Sequence, residues 1–256
     1  MKIAAWNVNA LKVRLPHLLE WLARVAPDVV CLQETKCEDV KFPAAEIEVA
    51  GFHWVHEGQK TYNGVAILAR TPISNVTRGI PGFGDPQKRL IAGDVEGVRV
   101  ICAYVPNGQS IGSDKYAYKL AWLEALRNHL HEEVGRSARL AILGDFNIAP
   151  EDRDVHDPKA WQGQVLVSEK EREAFRALLA VGLVDSFRLF EQPQETFSWW
   201  DYRQAAFRRN MGLRIDHILL TRELAARCAT SCVDREPRKL ERPSDHAPVI
   251  AELRPA

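Results

Sequence analysis

The chain has 256 residues, of which 46% are hydrophobic and 27% are charged, as is typical of a soluble globular protein. Its 34 basic and 34 acidic side chains give a net charge of zero, which argues against a protein that coats nucleic acid nonspecifically but leaves room for a local basic patch. No apolar run approaches the roughly 20 residues needed to cross a bilayer, so we expect no membrane anchor and no export signal.

Short strands alternate with a few helices along the whole chain. The apolar patterns predict strands at residues 2–7, 29–32, 63–69, 98–105, 139–143, 213–220 and 247–253. Helical spacing predicts helices at residues 15–25, 115–130 and 169–181, the last opened by a capping box of Ser168 and Glu171. Many strands, few helices and no regular βαβ period favour an α/β protein in which two sheets pack face to face, rather than a Rossmann fold.

The five cysteines are widely spaced and include no C-x-x-C pair. They predict neither a disulfide framework nor a zinc site, and a reducing cytoplasm is the expected compartment. The chain contains no internal repeat, low-complexity tract or linker, so a single domain over residues 1–256 is expected. It also lacks a dedicated oligomerisation element, and a monomer is expected.

Acidic, amide or histidine side chains stand at the ends of several of these strands. They are Asn7 and Asn9 after the first strand, Gln33 and Glu34 after the second, Asp145 and Asn147 after residues 139–143, Asp216 and His217 inside residues 213–220, and Asp245 and His246 before the last strand. Each one singly is typical of a turn. Asp216 differs because it interrupts an apolar run, and a buried carboxylate needs a partner, for which His246 is a natural candidate.

Together these residue types suit the hydrolysis of a phosphodiester. Hard oxygen ligands such as Glu34 and Asp245 suit Mg²⁺ or Mn²⁺. Asp145 is a candidate base for the attacking water, and Asn147 a candidate for orienting it. A cationic His246 would hydrogen-bond the non-bridging phosphate oxygen as charge builds. The sequence contains no serine elbow, P-loop or H-E-x-x-H motif that competes for this role.

A second cluster mixes large aromatic side chains with arginines between residues 197 and 210. It contains Trp199, Trp200, Arg203, Phe207 and Arg208. One interpretation is an aromatic core patch with a solvated basic rim. The other is a loop whose arginines hold phosphates while its apolar side chains enter the duplex or pack on an exposed sugar.

Seven motifs resemble those of the exonuclease III and abasic-site endonuclease family, within the deoxyribonuclease I-like superfamily. They are Trp6-Asn7-Val8-Asn9, Leu32-Gln33-Glu34-Thr35-Lys36, Tyr62-Asn63-Gly64-Val65-Ala66, Tyr104-Val105-Pro106-Asn107-Gly108, Gly144-Asp145-Phe146-Asn147, Gly212-Leu213-Arg214-Ile215-Asp216 and Ser244-Asp245-His246. They occur in the family's order from the first strand to the last, so the resemblance covers essentially the whole chain.

The resemblance implies a four-layer α/β sandwich, two packed β-sheets flanked by helices. It also implies a centre holding one or two Mg²⁺ or Mn²⁺ ions, with Glu34 as the main ligand and Asn7, Asp145, Asn147 and Asp245 close to the metal. The catalytic residues it implies are Tyr104, Asp145, Asn147, Asp216 and His246. Position 9 is Asn, where some relatives carry Asp, and this leaves the number of ions open.

The resemblance also implies which residues meet DNA. The expected contacts are Asn107, Lys119, Trp199, Trp200, Arg203, Phe207, Arg208, Leu213, Arg214 and Ile215. Four of these (Trp199, Trp200, Leu213 and Ile215) fall where the family builds its pocket for a flipped-out abasic sugar. Residues 155–167 match no motif, and we expect them beside the DNA, where they would set the balance between internal incision and trimming of ends.

The function implied by the resemblance is a metal-dependent DNA phosphodiesterase of base excision repair. It would cut duplex DNA 5′ to abasic sites, act on 3′ ends as an exonuclease or end-cleaning enzyme, and work in the cytoplasm with the nucleoid. One alternative is a phosphoesterase of the same superfamily that acts on a non-DNA phosphate ester, because this fold serves several substrates. The other is a catalytically silent DNA-binding module, which would be expected to have lost Glu34, Asp145 or His246.

Overall fold

Two six-stranded mixed sheets lie face to face in the computed structural model, which describes residues 1–255. In spatial order, the first sheet contains β13 (Cys228–Val233), β14 (Val249–Leu253), β1 (Lys2–Asn7), β2 (Val29–Gln33), β4 (Val65–Ala69) and β3 (His53–Glu57). The second contains β5 (Ser74–Arg78), β6 (Leu90–Val95), β7 (Val98–Tyr104), β8 (Leu140–Asp145), β12 (Asp216–Thr221) and β9 (Leu183–Asp185). A separate hairpin joins β10 (Trp199–Trp200) to β11 (Gly212–Leu213).

Helices cover the outer faces of both sheets. On these faces lie α1 (Leu11–Val25), α2 (Ala44–Val49), α3 (Asp114–Arg136) and α5 (Glu169–Ala180). The short α4 (Pro158–Trp161) packs beside Leu213, and α6 (Arg222–Arg227) contributes Leu224 to the core between the sheets. Helix α1 packs on the first sheet, and α3 and α5 pack on the second, so the expected four-layer sandwich is confirmed. None of the helices in residues 1–255 has the length and apolar character required to span a membrane.

Alternation of side chains along the strands builds these layers. In β1, Ile3 and Ala5 belong to the core between the sheets, whereas Ala4 and Trp6 belong to the core under α1. The same alternation runs through β7, β8 and β12, each of which sends one apolar row inward and one outward. This period of two is the physical reason that the strand predictions located the central strands.

The expected strand at residues 213–220 is wrong in one respect, because the structure divides it between two sheets. Leu213 ends β11, and Asp216 begins β12. The hydroxyl of Ser198 accepts hydrogen bonds from the backbone N–H groups of Ile215 and Asp216, both at 3.0 Å. A side chain therefore satisfies two donors that a continuous strand would have given to a neighbouring strand.

A buried ionic network fixes this break. Arg214 is 1% exposed and forms ion pairs with Asp154 at 2.6 Å and Asp185 at 2.8 Å. Its Nη1 also donates to Nδ1 of His217 at 3.0 Å, so Nε2 of that ring carries the proton and donates to the carbonyl of Ile148 at 2.9 Å. The expectation that Arg214 contacts DNA is wrong, since its guanidinium is enclosed and paired inside the protein.

We predict that His217 makes folding stability decline in mild acid. Burial, and then the charge of Arg214, lowers the pKa of His217 from 6.5 to about 4. Between these two pKa values, His217 is protonated in the unfolded chain but neutral in the folded protein. The contribution of His217 to the free energy of unfolding is therefore fully present above pH 6.5 and is lost as the pH falls toward 4. The loss between pH 7 and pH 5 should reach roughly 2 kcal/mol.

Urea unfolding at pH 7 and pH 5 measures this effect. His217→Gln should lose less free energy of unfolding between the two pH values than the unchanged protein does, whatever its stability at pH 7. An equal loss in both proteins would show that His217 does not contribute.

Candidate active site

The inward-facing rows of four strands end in polar residues. Asn7 continues the inward row of β1, Tyr104 that of β7 and Asp145 that of β8, while Asp216 opens the inward row of β12. Tyr104 pairs with Asp145 in register, and Asp145 pairs with Asp216. The core between the two sheets is therefore apolar along most of its length and polar at one end, where the expected catalytic residues meet.

Asn7 connects the two sheets at this end. Its Nδ2 donates to Oε1 of Glu34 at 2.8 Å and to Oδ2 of Asp145 at 2.9 Å. Its Oδ1 accepts from the backbone N–H of Asn9 at 3.0 Å, which fixes the orientation of the amide. Asn7 thus lies beside the expected metal position, but it presents donors that hold two carboxylates together rather than a free oxygen ligand.

Glu34 follows β2 in a left-handed backbone conformation, with φ of 52°. Its Oε1 accepts from the hydroxyl of Tyr104 at 3.0 Å, and its Oε2 lies 2.8 Å from Nζ of Lys36. Burial opposes ionisation of Glu34, but Lys36 and the donor of Asn7 outweigh it and hold the pKa below its ordinary value. Lys36 was missed as a site residue, although it stands two positions after Glu34 in the second motif.

Asp145 is enclosed by hydrogen bonds and other charges. Its Oδ1 accepts from the backbone N–H of Asn147 at 2.9 Å. Burial is the main cause that raises the pKa of Asp145 to about 7, with His246 opposing the shift and Asp216 adding to it. A carboxyl group that exchanges its proton near neutral pH suits general acid–base catalysis.

His246 and Asp216 form the expected pair. Nδ1 of His246 lies 3.1 Å and 2.9 Å from the two carboxylate oxygens of Asp216. Burial alone would lower the pKa of His246, but the carboxylates of Asp216 and Asp145 outweigh it and raise the pKa to about 10. The ring is therefore an imidazolium whose Nε2 faces Oδ2 of Asp145 at 3.7 Å. Ser244, a further residue that was missed, holds the backbone N–H of His246 at 3.2 Å.

The donor set fits a hard divalent cation. Ligand atoms of Glu34, Asp145 and His246 lie within 4.8 Å of one another. Nδ1 of His246 is held by Asp216, so the carboxylates of Glu34 and Asp145 are the groups that would hold the ion. Oδ1 and Oδ2 of Asp245 accept from Asn9 at 2.9 Å and Trp199 at 3.0 Å, beside this cluster.

The expected phosphate-side residues extend the site from Asp145. Nδ2 of Asn147 donates to the carbonyl of Val105 at 3.0 Å and reaches Oδ2 of Asp145 at 3.3 Å. Its Oδ1 accepts from Nδ2 of the exposed Asn107 at 3.1 Å. Asn107, Asn147 and Asp145 therefore form one hydrogen-bonded chain that leads from solvent to the buried carboxyl group.

Two expected DNA contacts, Lys119 and Trp200, lie inside the protein. Lys119 is 0% exposed, and its ammonium bonds to Glu171 and to the backbone carbonyls of Asn107 and Asn147, so no donor remains for DNA. Trp200 is also 0% exposed, and its Nε1 donates to Asn210 at 3.2 Å. Both expectations are wrong for the same reason: the sequence shows a cationic or aromatic side chain but not the helix or loop that covers it.

Two of the residues expected to line a pocket for an abasic sugar are buried in an apolar cluster. Leu213 and Ile215 are 0% and 1% exposed, and they pack against Val155, Leu166 and neighbouring apolar residues. Segment 155–167 also adds an isolated bridge between Val155 and Leu213. Segment 155–167 therefore packs over these two apolar side chains. Its expected place beside the DNA stays a prediction.

The remaining expected DNA contacts are accessible to different degrees. Arg203 and Arg208 are exposed, and Phe207 and Trp199 are partly buried. Arg203 forms a surface ion pair with Asp201 at 3.0 Å, which DNA phosphates can replace at little cost. The aromatic cluster therefore fits the first interpretation, with a buried core around Trp200 and a basic rim in solvent. The interpretation in which its arginines hold phosphates stays a prediction.

Comparisons with known proteins agree with this geometry. Residues 4–246 match the sequence model described as the Endonuclease/Exonuclease/phosphatase family. An exodeoxyribonuclease III of Haemophilus influenzae is 39% identical over 99% of this chain and 100% of its own length. The 3′ phosphatase NExo of Neisseria, solved with a product DNA hairpin, superposes with a TM-score of 0.97 at 48% identity, over 99% of both chains. An AP endonuclease from Archaeoglobus fulgidus gives a TM-score of 0.95 at 40% identity, also over 99% of both chains.

Proposed function

Since the chain belongs to the endonuclease/exonuclease/phosphatase family, we propose that it is a DNA repair nuclease, a hydrolase that cuts phosphodiester bonds with the help of Mg²⁺ or Mn²⁺. The observation that carries the proposal is the meeting of Glu34, Asp145 and the Asp216–His246 pair at the open end of the core between the sheets. We expect the enzyme to act on DNA as a monomer in the cytoplasm.

Each side chain of the site has a separate role in the proposed hydrolysis. Asp145 accepts a proton from the attacking water, and Asn147 orients that water through the hydrogen-bonded chain that ends at Asn107. His246 donates a hydrogen bond from Nε2 to a non-bridging phosphate oxygen, while Asp216 holds the ring in position. A divalent ion held by Glu34 would neutralise negative charge on the phosphate.

Tyr104 acts as a donor in this arrangement. Burial, and then the charges of Glu34 and Asp145, raises the pKa of its hydroxyl well above the ordinary value. The hydroxyl therefore stays protonated at neutral pH, and it donates to Oε1 of Glu34. Its role is to hold the carboxylate in place rather than to attack the phosphorus as a phenolate.

The burial of Leu213 and Ile215 favours 3′ ends as the main substrate. A flipped-out abasic sugar needs an open pocket, and Val155 and Leu166 cover these two side chains. A 3′-terminal nucleotide or a 3′-phosphate reaches the same carboxylates without entering that pocket. The similarity to the Neisseria protein, a 3′ phosphatase solved with product DNA, agrees with this preference.

End-labelled duplexes test the function and the preference together. One duplex carries an internal abasic-site analogue, one a 3′-phosphate, and one is intact, each with Mg²⁺, with Mn²⁺ or with chelator. We expect metal-dependent release of the 3′-phosphate to be faster than incision at the analogue. Faster incision would refute the preference for ends, and no cleavage of any duplex with either metal would refute the nuclease itself and direct attention to other phosphate esters.

Glu34→Gln should raise the metal concentration needed for half-maximal activity by about 10- to 100-fold, because it removes the charge of the anchoring carboxylate. Calorimetric titration with Mn²⁺ should show a parallel loss of affinity, which does not depend on turnover. Glu20→Gln, on the exposed face of α1, is the matched control. Unchanged Mn²⁺ affinity in Glu34→Gln would remove Glu34 from the metal site.

A further inference from the structure

Lys119 and Glu171 form a buried ion pair directly behind the catalytic loops. Both side chains are 0% exposed, one on α3 and the other on α5. Besides its bond to Glu171, Nζ of Lys119 donates to the backbone carbonyl of Asn107 at 3.1 Å and to that of Asn147 at 2.6 Å. The ammonium has three protons, so all of them are used inside the protein.

The two carbonyls belong to the two loops that carry the phosphate side of the site. The side chains of these two residues are also in contact, because Nδ2 of Asn107 donates to Oδ1 of Asn147 at 3.1 Å. Asn147 adopts a left-handed backbone conformation with φ of 50°, which a non-glycine residue holds only when its surroundings fix it. The bond from Lys119 to its carbonyl is one of the contacts that fix it, and Asp145 depends in turn on the backbone N–H of Asn147.

Glu171 extends this connection to segment 155–167. Its Oε1 accepts from the backbone N–H of Leu166 at 3.0 Å, and its Oε2 accepts from that of Ser168 at 3.1 Å. The capping box predicted from the sequence is therefore confirmed, and the same carboxylate that begins α5 also holds Lys119. Through Leu166, it reaches the apolar cluster that closes over Leu213 and Ile215.

We propose that Lys119 and Glu171 are positioning residues which set the distance between the loop of Asn107 and the loop of Asp145 and Asn147. The pair touches neither DNA nor the reacting atoms. It fixes the hydrogen-bonded chain that orients the attacking water, and it joins that chain to segment 155–167. The expected effect of the pair on turnover rests on the proposed nuclease function. The expected effect of the pair on the two loops does not.

A neutral replacement separates positioning from stability. Lys119→Met with Glu171→Gln removes both charges, keeps an amide oxygen that can cap α5, and leaves no unpaired buried ion. Arg99→Met with Glu133→Gln is the matched control, because this largely buried pair also joins α3 to a neighbouring element, in this case β7. Arg99 pairs with Leu140 in register, at the end of β7 and β8 opposite to Tyr104 and Asp145.

The experiment measures kcat and KM on a 3′-phosphate duplex, together with amide hydrogen exchange of residues 105–110 and 146–150. For the Lys119 and Glu171 double variant we expect kcat to fall about 10- to 100-fold, since small misplacements of reacting groups have effects of this size. KM should change less than twofold, and exchange in both loops should rise. The control should keep its kcat and the exchange of both loops.

Unchanged exchange in both loops would overturn the proposal, and so would an equal loss of kcat in the control. If the unchanged protein cleaves none of the DNA substrates, the nuclease function fails. The exchange measurement then still decides the positioning role by itself.

Discussion

Asp145→Asn is expected to lower kcat by about 10³-fold or more, because the asparagine cannot accept the proton of the attacking water. The substitution keeps an oxygen that can accept the hydrogen bond from the backbone N–H of Asn147. It also removes a negative charge from the place where the phosphate binds. The dissociation constant for duplex DNA should therefore stay equal or become smaller.

Single-turnover cleavage of a 3′-phosphate duplex and equilibrium binding of the same duplex measure the two effects separately. Glu20→Gln is the control, since that carboxylate is exposed on α1 and belongs to neither the site nor the expected DNA contacts. Turnover of Asp145→Asn within about tenfold of the unchanged enzyme is too fast for the loss of a general base and would remove Asp145 from that role. A large loss of binding would mean that the substitution disturbs the whole site.

His246→Gln is expected to lower kcat by about 10²- to 10³-fold, because it removes the cationic donor to the phosphate oxygen. Asp216→Asn should have a smaller effect in the same direction. It takes away the largest of the favourable charges that keep the pKa of His246 at about 10, leaving Asp145 and Asp245 as the remaining charges that stabilise the imidazolium. The two residues act as a unit, so the double variant should be about as slow as His246→Gln alone.

The kcat values of the two single variants and the double variant form a cycle that tests this coupling. Full additivity would mean that Asp216 acts independently of the ring. Thermal unfolding of each variant serves as the control for misfolding, because an unpaired buried imidazolium in Asp216→Asn also destabilises the protein.

Local patterns in the sequence determined much of the fold. Alternating apolar residues located the central strands, and the capping box of Ser168 and Glu171 located the start of α5. The polar residues at strand ends identified Glu34, Asp145, Asp216 and His246, and the structure brings these four together. Such signals succeed because the period of a strand and the requirements of a helix end are properties of short segments.

The tertiary structure alone decided which of the remaining side chains meet solvent. Lys119 and Arg214 carry the charges expected of DNA contacts, yet both lie in buried ion pairs with residues 52 and 60 positions away in the chain. Leu213 and Ile215 were expected to line a pocket, yet residues of segment 155–167 pack over them. A sequence pattern shows that a side chain faces out of its own strand or helix, but not which distant segment packs over it.

The break between Leu213 and Asp216 has the same physical origin. Residues 213–220 satisfy the pattern of one strand, and only the hydroxyl of Ser198, from a different loop, takes the two backbone donors that end it. The sequence by itself therefore identified the residues that meet at the candidate site and the central strands beside them. Only the three-dimensional structure showed that Asn7 connects the two sheets and that buried Lys119 and Arg214 bind other parts of the chain. Those contacts join residues far apart in the sequence, so no local pattern reveals them.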